Sequence, residues 1–165
     1  GGSSSSSASA QNIASSQIVV IDSISTSSPA TIQIAGNIGI KEITLDVNSA
    51  ASNVKLTVSE QSSQPASTLA IASDNSVYKW LEISKTNLDN SNIKDAKIKF
   101  EVDAAWLTAN SIDANDIKLL RYVDGAWTSL STTKIGSDSL KSSYVATTPG
   151  FSYFAITGRV RRKKS

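Results

Sequence analysis

Residues 97–102, Lys97-Ile98-Lys99-Phe100-Glu101-Val102, alternate charged and apolar side chains without a break. A two-residue period of this kind belongs to a strand with one face buried and one in water. The same period runs outward from this stretch in both directions. Asn53-Val54-Lys55-Leu56-Thr57-Val58 repeats it, Thr31-Ile32-Gln33-Ile34 alternates, and Ile43, Leu45 and Val47 share a face opposite Glu42, Thr44 and Asp46. Val77 to Ser84 reads as a further half-buried strand. Downstream, Ile117–Val123 and Ala126–Leu130 flank Asp124-Gly125, a dipeptide suited to a two-residue hairpin turn. Ser143–Thr147 and Phe151–Thr157 are the last strands, separated by the Pro149-Gly150 turn. Only Ala104–Ala109 has the composition of a helix, with Asp103 placed to cap its start and Asn110 to end it in the left-handed region. The expected fold is all-β, a β-sandwich of about nine or ten short strands with one short helix near 103–110.

The chain of 165 residues suits one domain with tails. Residues 1–16 (GGSSSSSASAQNIASS) form a Ser-rich leader, flexible by composition. Residues 17–28 follow as an N-terminal strand, 29–158 as the sandwich, and 159–165 as a basic tail. Within the N-terminal strand Ile18-Val19-Val20-Ile21 do not alternate, so both faces ask for burial. Such a strand either completes its own sandwich or inserts into a neighbouring subunit by β-augmentation. In the second case Ile13, Ile18, Val19, Val20, Ile21 and Ile24 are the subunit interface.

The chain has no Cys, no His and no Met. Ser-His and Cys-His nucleophilic pairs, thiolate zinc sites and imidazole ligands are therefore excluded. The missing Met at position 1 implies a processed chain. Ser supplies 31 residues and charged residues only 18%, below the quarter or so usual in globular domains, which leans toward an exterior location. Of 16 basic residues, five (Arg159, Arg161, Arg162, Lys163 and Lys164) sit in the tail, leaving the body 11 against 14 acidic residues, a net of −3. An acidic body with one basic tag does not suit nucleic acid. The tail has four readings: a juxtamembrane anchor flank, a nucleic-acid tag, a solvated end, or a contact for an anionic surface such as the acidic body of another copy. No apolar run reaches the roughly 20 residues that a membrane-spanning helix needs.

Asn87, Asp89, Asn90 and Asn92 gather side-chain oxygens in one loop and make it the weak candidate for Ca²⁺; otherwise no cofactor is expected. The competing reading is a turn built from Asx side chains bonding backbone. Asp113-Ala114-Asn115-Asp116 reads as the lead-in to the next strand. Glu42, Asp46, Glu60, Glu82 and Glu101 fall on outward strand faces, and nothing brings two of them into a cleft, so no enzyme activity is expected. Tyr78 and Trp80 share the face opposite Leu81 and Ile83. They are the candidate exposed pair for a glycan or subunit contact.

From about Val77 to Gly158 the chain resembles the archaeal PGF-pre-PGF domain. The resemblance is carried by Tyr78-Lys79-Trp80-Leu81-Glu82-Ile83, Ile93 to Val102, Trp106-Leu107, Ser111-Ile112-Asp113, Leu119-Leu120-Arg121-Tyr122, Asp124-Gly125-Ala126-Trp127 and Thr147-Thr148-Pro149-Gly150-Phe151-Ser152-Tyr153-Phe154-Ala155-Ile156. It extends more loosely to about residue 30. It implies a secreted archaeal cell-surface protein and supplies no catalytic residues. The family's Thr/Pro-rich stalk and C-terminal sorting anchor have no counterpart after Gly158, which favours a freestanding subunit. The function expected is an extracellular structural subunit that self-assembles into a filament or layer, its partner being itself. The alternative is an adhesin-like module that binds glycan or other cell-surface proteins.

Overall fold

The computed structural model describes residues 13–161. Eleven strands and one helix follow in order: β1 (Ile13–Ile24), β2 (Ala30–Gln33), β3 (Ile40–Val47), β4 (Ala51–Gln61), β5 (Asn75–Thr86), β6 (Ile93–Asp103), α1 (Ala104–Ala109), β7 (Ile112–Val123), β8 (Ala126–Ser129), β9 (Ser131–Ser137), β10 (Lys141–Thr148) and β11 (Tyr153–Val160). They form two antiparallel sheets, one ordered β1-β4-β5-β11-β7-β8 and the other β2-β3-β6-β10-β9. The all-β sandwich expected from the two-residue period is the fold.

The alternating hydrophobes line the space between the sheets. Ile43, Leu45, Val54, Leu56, Val58, Ile98, Phe100, Phe154 and Ile156 are buried without measurable exposure. Phe100 stacks on Tyr144 across the β6–β10 pair, with ring centroids 5.3 Å apart. The Tyr144 hydroxyl donates to the Ala114 carbonyl oxygen at 2.6 Å, so its polar end is satisfied inside the core. Gly158 in β11 marks the tightest approach. A Cβ there would lie 2.7 Å from Ile112 Cγ2 and 3.0 Å from Ile117 Cδ1.

The Asp124-Gly125 hairpin forms as read, with both residues at positive φ (53° and 77°) joining β7 to β8. The helix also lies where expected, though its ends differ in detail. Asp103 occupies the N-cap without a capping side-chain bond, and its carboxylate meets Lys141 at 3.3 Å instead. Asn110 is not left-handed. Its amide donates to the Trp106 carbonyl at 2.9 Å, and Ser111 takes the positive φ. β9 is the strand the sequence reading left out, because Ser131–Ser137 is exposed at almost every position and shows no alternation. The boundaries shift as well. β1 starts at Ile13, inside the stretch read as leader, and β11 continues through Val160, inside the stretch read as tail. Residues 1–12 of the leader lie outside the described residues.

Candidate assembly strand and surface sites

β1 is the outermost strand of the six-stranded sheet. It pairs with β4 alone, in a register that sets Ile18 opposite Thr57, Val19 opposite Leu56 and Ile21 opposite Val54. Directly opposed residues share a face, so Val19 and Ile21 turn with Leu56 and Val54 toward the core, where both are half-buried. Ile18 and Val20 turn outward and remain 61% and 62% exposed. The doubly apolar strand therefore buries one face only, since β1 has the second sheet on one side and nothing described on the other. Ile13 is also exposed, and Ile24 alone is locked in, at 3%. Beyond Ile24 the chain turns through a Ser25–Ser28 bridge to reach β2 in the opposite sheet.

Tyr78 and Trp80 are separated by a β-bulge. Lys79 pairs with Ile156 and Val77 with Thr157, which leaves Tyr78 as the extra residue. Its ring packs against the core and meets Trp106 edge-on at 5.0 Å. The Asp103 N–H donates to its hydroxyl at 3.3 Å, and burial pushes the phenol up to about 12. Trp80 lies 5.8 Å from Trp127, which meets Tyr122 edge-on at 5.0 Å. Both candidates are half-buried, in two different aromatic clusters, and do not form one exposed platform. The 62–74 connection is tied to the second cluster, because Trp127 Nε1 donates to the Leu69 carbonyl oxygen at 2.7 Å.

The sequence reading missed an ion pair beside this bulge. Lys79 Nζ lies 3.0 Å from Glu60 Oε1 and donates to the Asn37 carbonyl at 3.2 Å, with Tyr78's ring centroid 5.6 Å away. Glu60 is thereby a structural partner instead of a solubilising charge. Glu82 also departs from a plain surface carboxylate: burial beside Trp80, and opposite Tyr153, raises its carboxyl above the usual range.

In the Asx-rich loop the side chains fasten this end of the sandwich together. Asn87 donates to the Asn53 carbonyl at 2.9 Å. Asn90 Oδ1 accepts from the Phe151 N–H at 3.0 Å. Asn92 Oδ1 accepts from both the N–H and the hydroxyl of Ser49 at 2.8 Å, while its Nδ2 donates to the Ser49 carbonyl at 3.0 Å. Asp89 sits at the start of a single 3₁₀ turn, Asn90–Asn92. The side-chain oxygens of Asn90 and Asn92 thus already accept protein hydrogen bonds. Among the described residues no group of three or more acidic side chains is placed to hold a metal.

Two of the five basic tail residues are described. Arg159 lies in β11 with Nε 3.6 Å from Asp74, and Arg161 binds Asp113 at 2.5 Å. Asp113 also accepts from the Asn115 N–H, and that bond, with Arg161 beside it, holds its carboxyl below the usual range. Asp113 to Asp116 belong to β7 itself. Arg162, Lys163 and Lys164 lie outside the described residues. Among the described residues no helix is long and apolar enough to cross a membrane. A scan against family models and a search of curated proteins returned no match for this chain.

Proposed function

We propose that this protein is an extracellular structural subunit that polymerises by passing its N-terminal strand to the next copy. The observation that carries the reading is the attachment of β1. One strand, β4, holds it at a sheet edge, and a short Ser-rich link, Ser25-Thr26-Ser27-Ser28-Pro29, is all that joins it to β2. An edge strand on such a link is exchanged between copies with little loss, because the neighbour offers the same β4 in the same register. In the exchanged form Val19, Ile21 and Ile24 of one subunit fill the next subunit's core margin. The contact is head-to-tail and does not close on itself, so it propagates as a fibre. The exterior location rests on the Ser-rich, charge-poor composition and on the resemblance to a cell-surface module. The adhesin-like alternative needs no exchange.

Size-exclusion chromatography with electron microscopy, on the full chain and on a chain lacking residues 1–24, tests this. Filaments from the first and folded monomers from the second are expected. A chain with Ser27 and Ser28 deleted should polymerise more readily, since a shortened link hinders self-insertion. Monomers from all three would overturn the proposal and bring a binding module forward.

A further inference from the structure

The two sheets present four edges, and three are protected against pairing. β2 and β8 have only four residues each, β2 directly after Pro29. β9 carries Lys134 and is kinked, because Tyr144 pairs with Lys134 and Ser143 with Gly136, leaving Ile135 bulged. Short strands, proline, lysine and bulges are the devices that keep natural sheets from joining edge to edge. β1 has twelve residues and uses none of them along its regular run from Ser15 to Ile21. It contains no proline and no basic residue, and Asp22 is its one charge. Alternate backbone N–H and C=O groups of this run point away from β4, and no described strand covers them.

We infer that this outer edge of β1 pairs antiparallel with β1 of a second copy, about a two-fold axis at Val19. An axis at Val19 preserves the two faces of the strand, so outward residues oppose outward residues and inward oppose inward. The axis sets Ile18 against Val20 of the second copy, Gln17 against Ile21, Ser16 against Asp22 and Ser15 against Ser23. The exposed hydrophobes then meet each other on the outward face, and Asp22 meets a serine instead of its own copy. The contact is isologous and closes at two. It does not depend on strand exchange, because β1 keeps the same free edge whether it came from its own chain or from a neighbour. With exchange it would join two fibres side by side.

Two charge-bearing chains, I18K/V20K and I18E/V20E, test this by light scattering on the intact protein. Both positions are exposed, so the pairing with β4 is preserved. The wild-type chain should pair, and each variant alone should have a dissociation constant raised by roughly 100-fold or more, as like charges face each other. An equal mixture of the two should pair again. As the chain has no cysteine, an oxidised mixture of I18C and V20C should give the mixed disulfide ahead of either symmetric one. A wild-type chain that never pairs overturns the inference, whether another segment or another partner covers the edge. So does a variant that pairs unchanged, or disulfides without preference for 18 against 20. Filaments that persist in I18K/V20K but no longer associate laterally would keep strand exchange and the edge joint separate.

Discussion

Replacing Ile24 and Ile18 by alanine, one at a time, measures which face of β1 belongs to the fold. Ile24 is 3% exposed and packs in the core cluster. Truncating a buried isoleucine costs about 2–5 kcal/mol. Ile24 borders an open hollow of 430 Å³ lined by Ser23, Ser25, Ser28, Ala50, Ala51 and Ser52. Water can enter such a site, so the low end applies, roughly 2–3 kcal/mol. Ile18 is 61% exposed, and its loss should cost less than about 1 kcal/mol, mostly β-propensity. Urea unfolding in dilute solution reads both, and with a slope of about 2 kcal/mol/M the midpoint falls by roughly 1 M for I24A and under 0.5 M for I18A. A cost at Ile18 equal to that at Ile24 in dilute protein would refute the face assignment. A cost at Ile18 that grows with protein concentration is the signature of a β1 edge occupied by another copy.

Three further outcomes follow from the packing. Gly158→Ala should destabilise by about 1–3 kcal/mol, because the 2.7 Å approach to Ile112 exceeds what a strand gains from losing glycine; urea unfolding checks it, and the cost of G158A should be smaller when measured in an I112A background. Tyr144→Phe should cost about 1 kcal/mol by stranding the Ala114 carbonyl, read by thermal or urea unfolding. Glu82→Gln should stabilise at pH 7. A carboxyl raised by burial binds its proton more tightly folded than unfolded, so wild-type stability falls as pH climbs from the ordinary carboxylate value through the raised one. Unfolding curves across pH should show the advantage of E82Q vanishing below the ordinary value.

The architecture was legible wherever one strand face is buried and the other wet. β3, β4 and β6 alternate because each lies between the core and solvent, and the Asp124-Gly125 turn announces its own hairpin. β9 was illegible because an exposed edge strand has no buried face to impose a period. The site reading failed at a different level. A single bulge turns Tyr78 inward toward Trp106 and separates it from Trp80, and nothing local to Tyr78-Lys79-Trp80 encodes that extra residue. Its cause is the pairing with β11, some seventy-five residues away. The same holds for Glu60 with Lys79, where two strand charges read as solvated become partners only once β4 and β5 lie side by side. The exposed pair Ile18 and Val20 was visible as an unbroken apolar run, but which of its faces is buried is decided by β4.

The asparagine fastenings at the Asn87–Asn92 end have a bearing on how this protein ages. A chain without cysteine or methionine lacks the two side chains of the sulfur oxidation ladder, and slow hydrolysis of side-chain amides is a form of wear that remains open to it. Asn92 holds Ser49 through one donor and one acceptor atom. Conversion to aspartate would leave two acceptors, one of them facing the Ser49 carbonyl, and would open the β3–β4 corner. That corner lies two residues from Ala51, the partner of Ile24, so its loosening would reach the end of β1 as well.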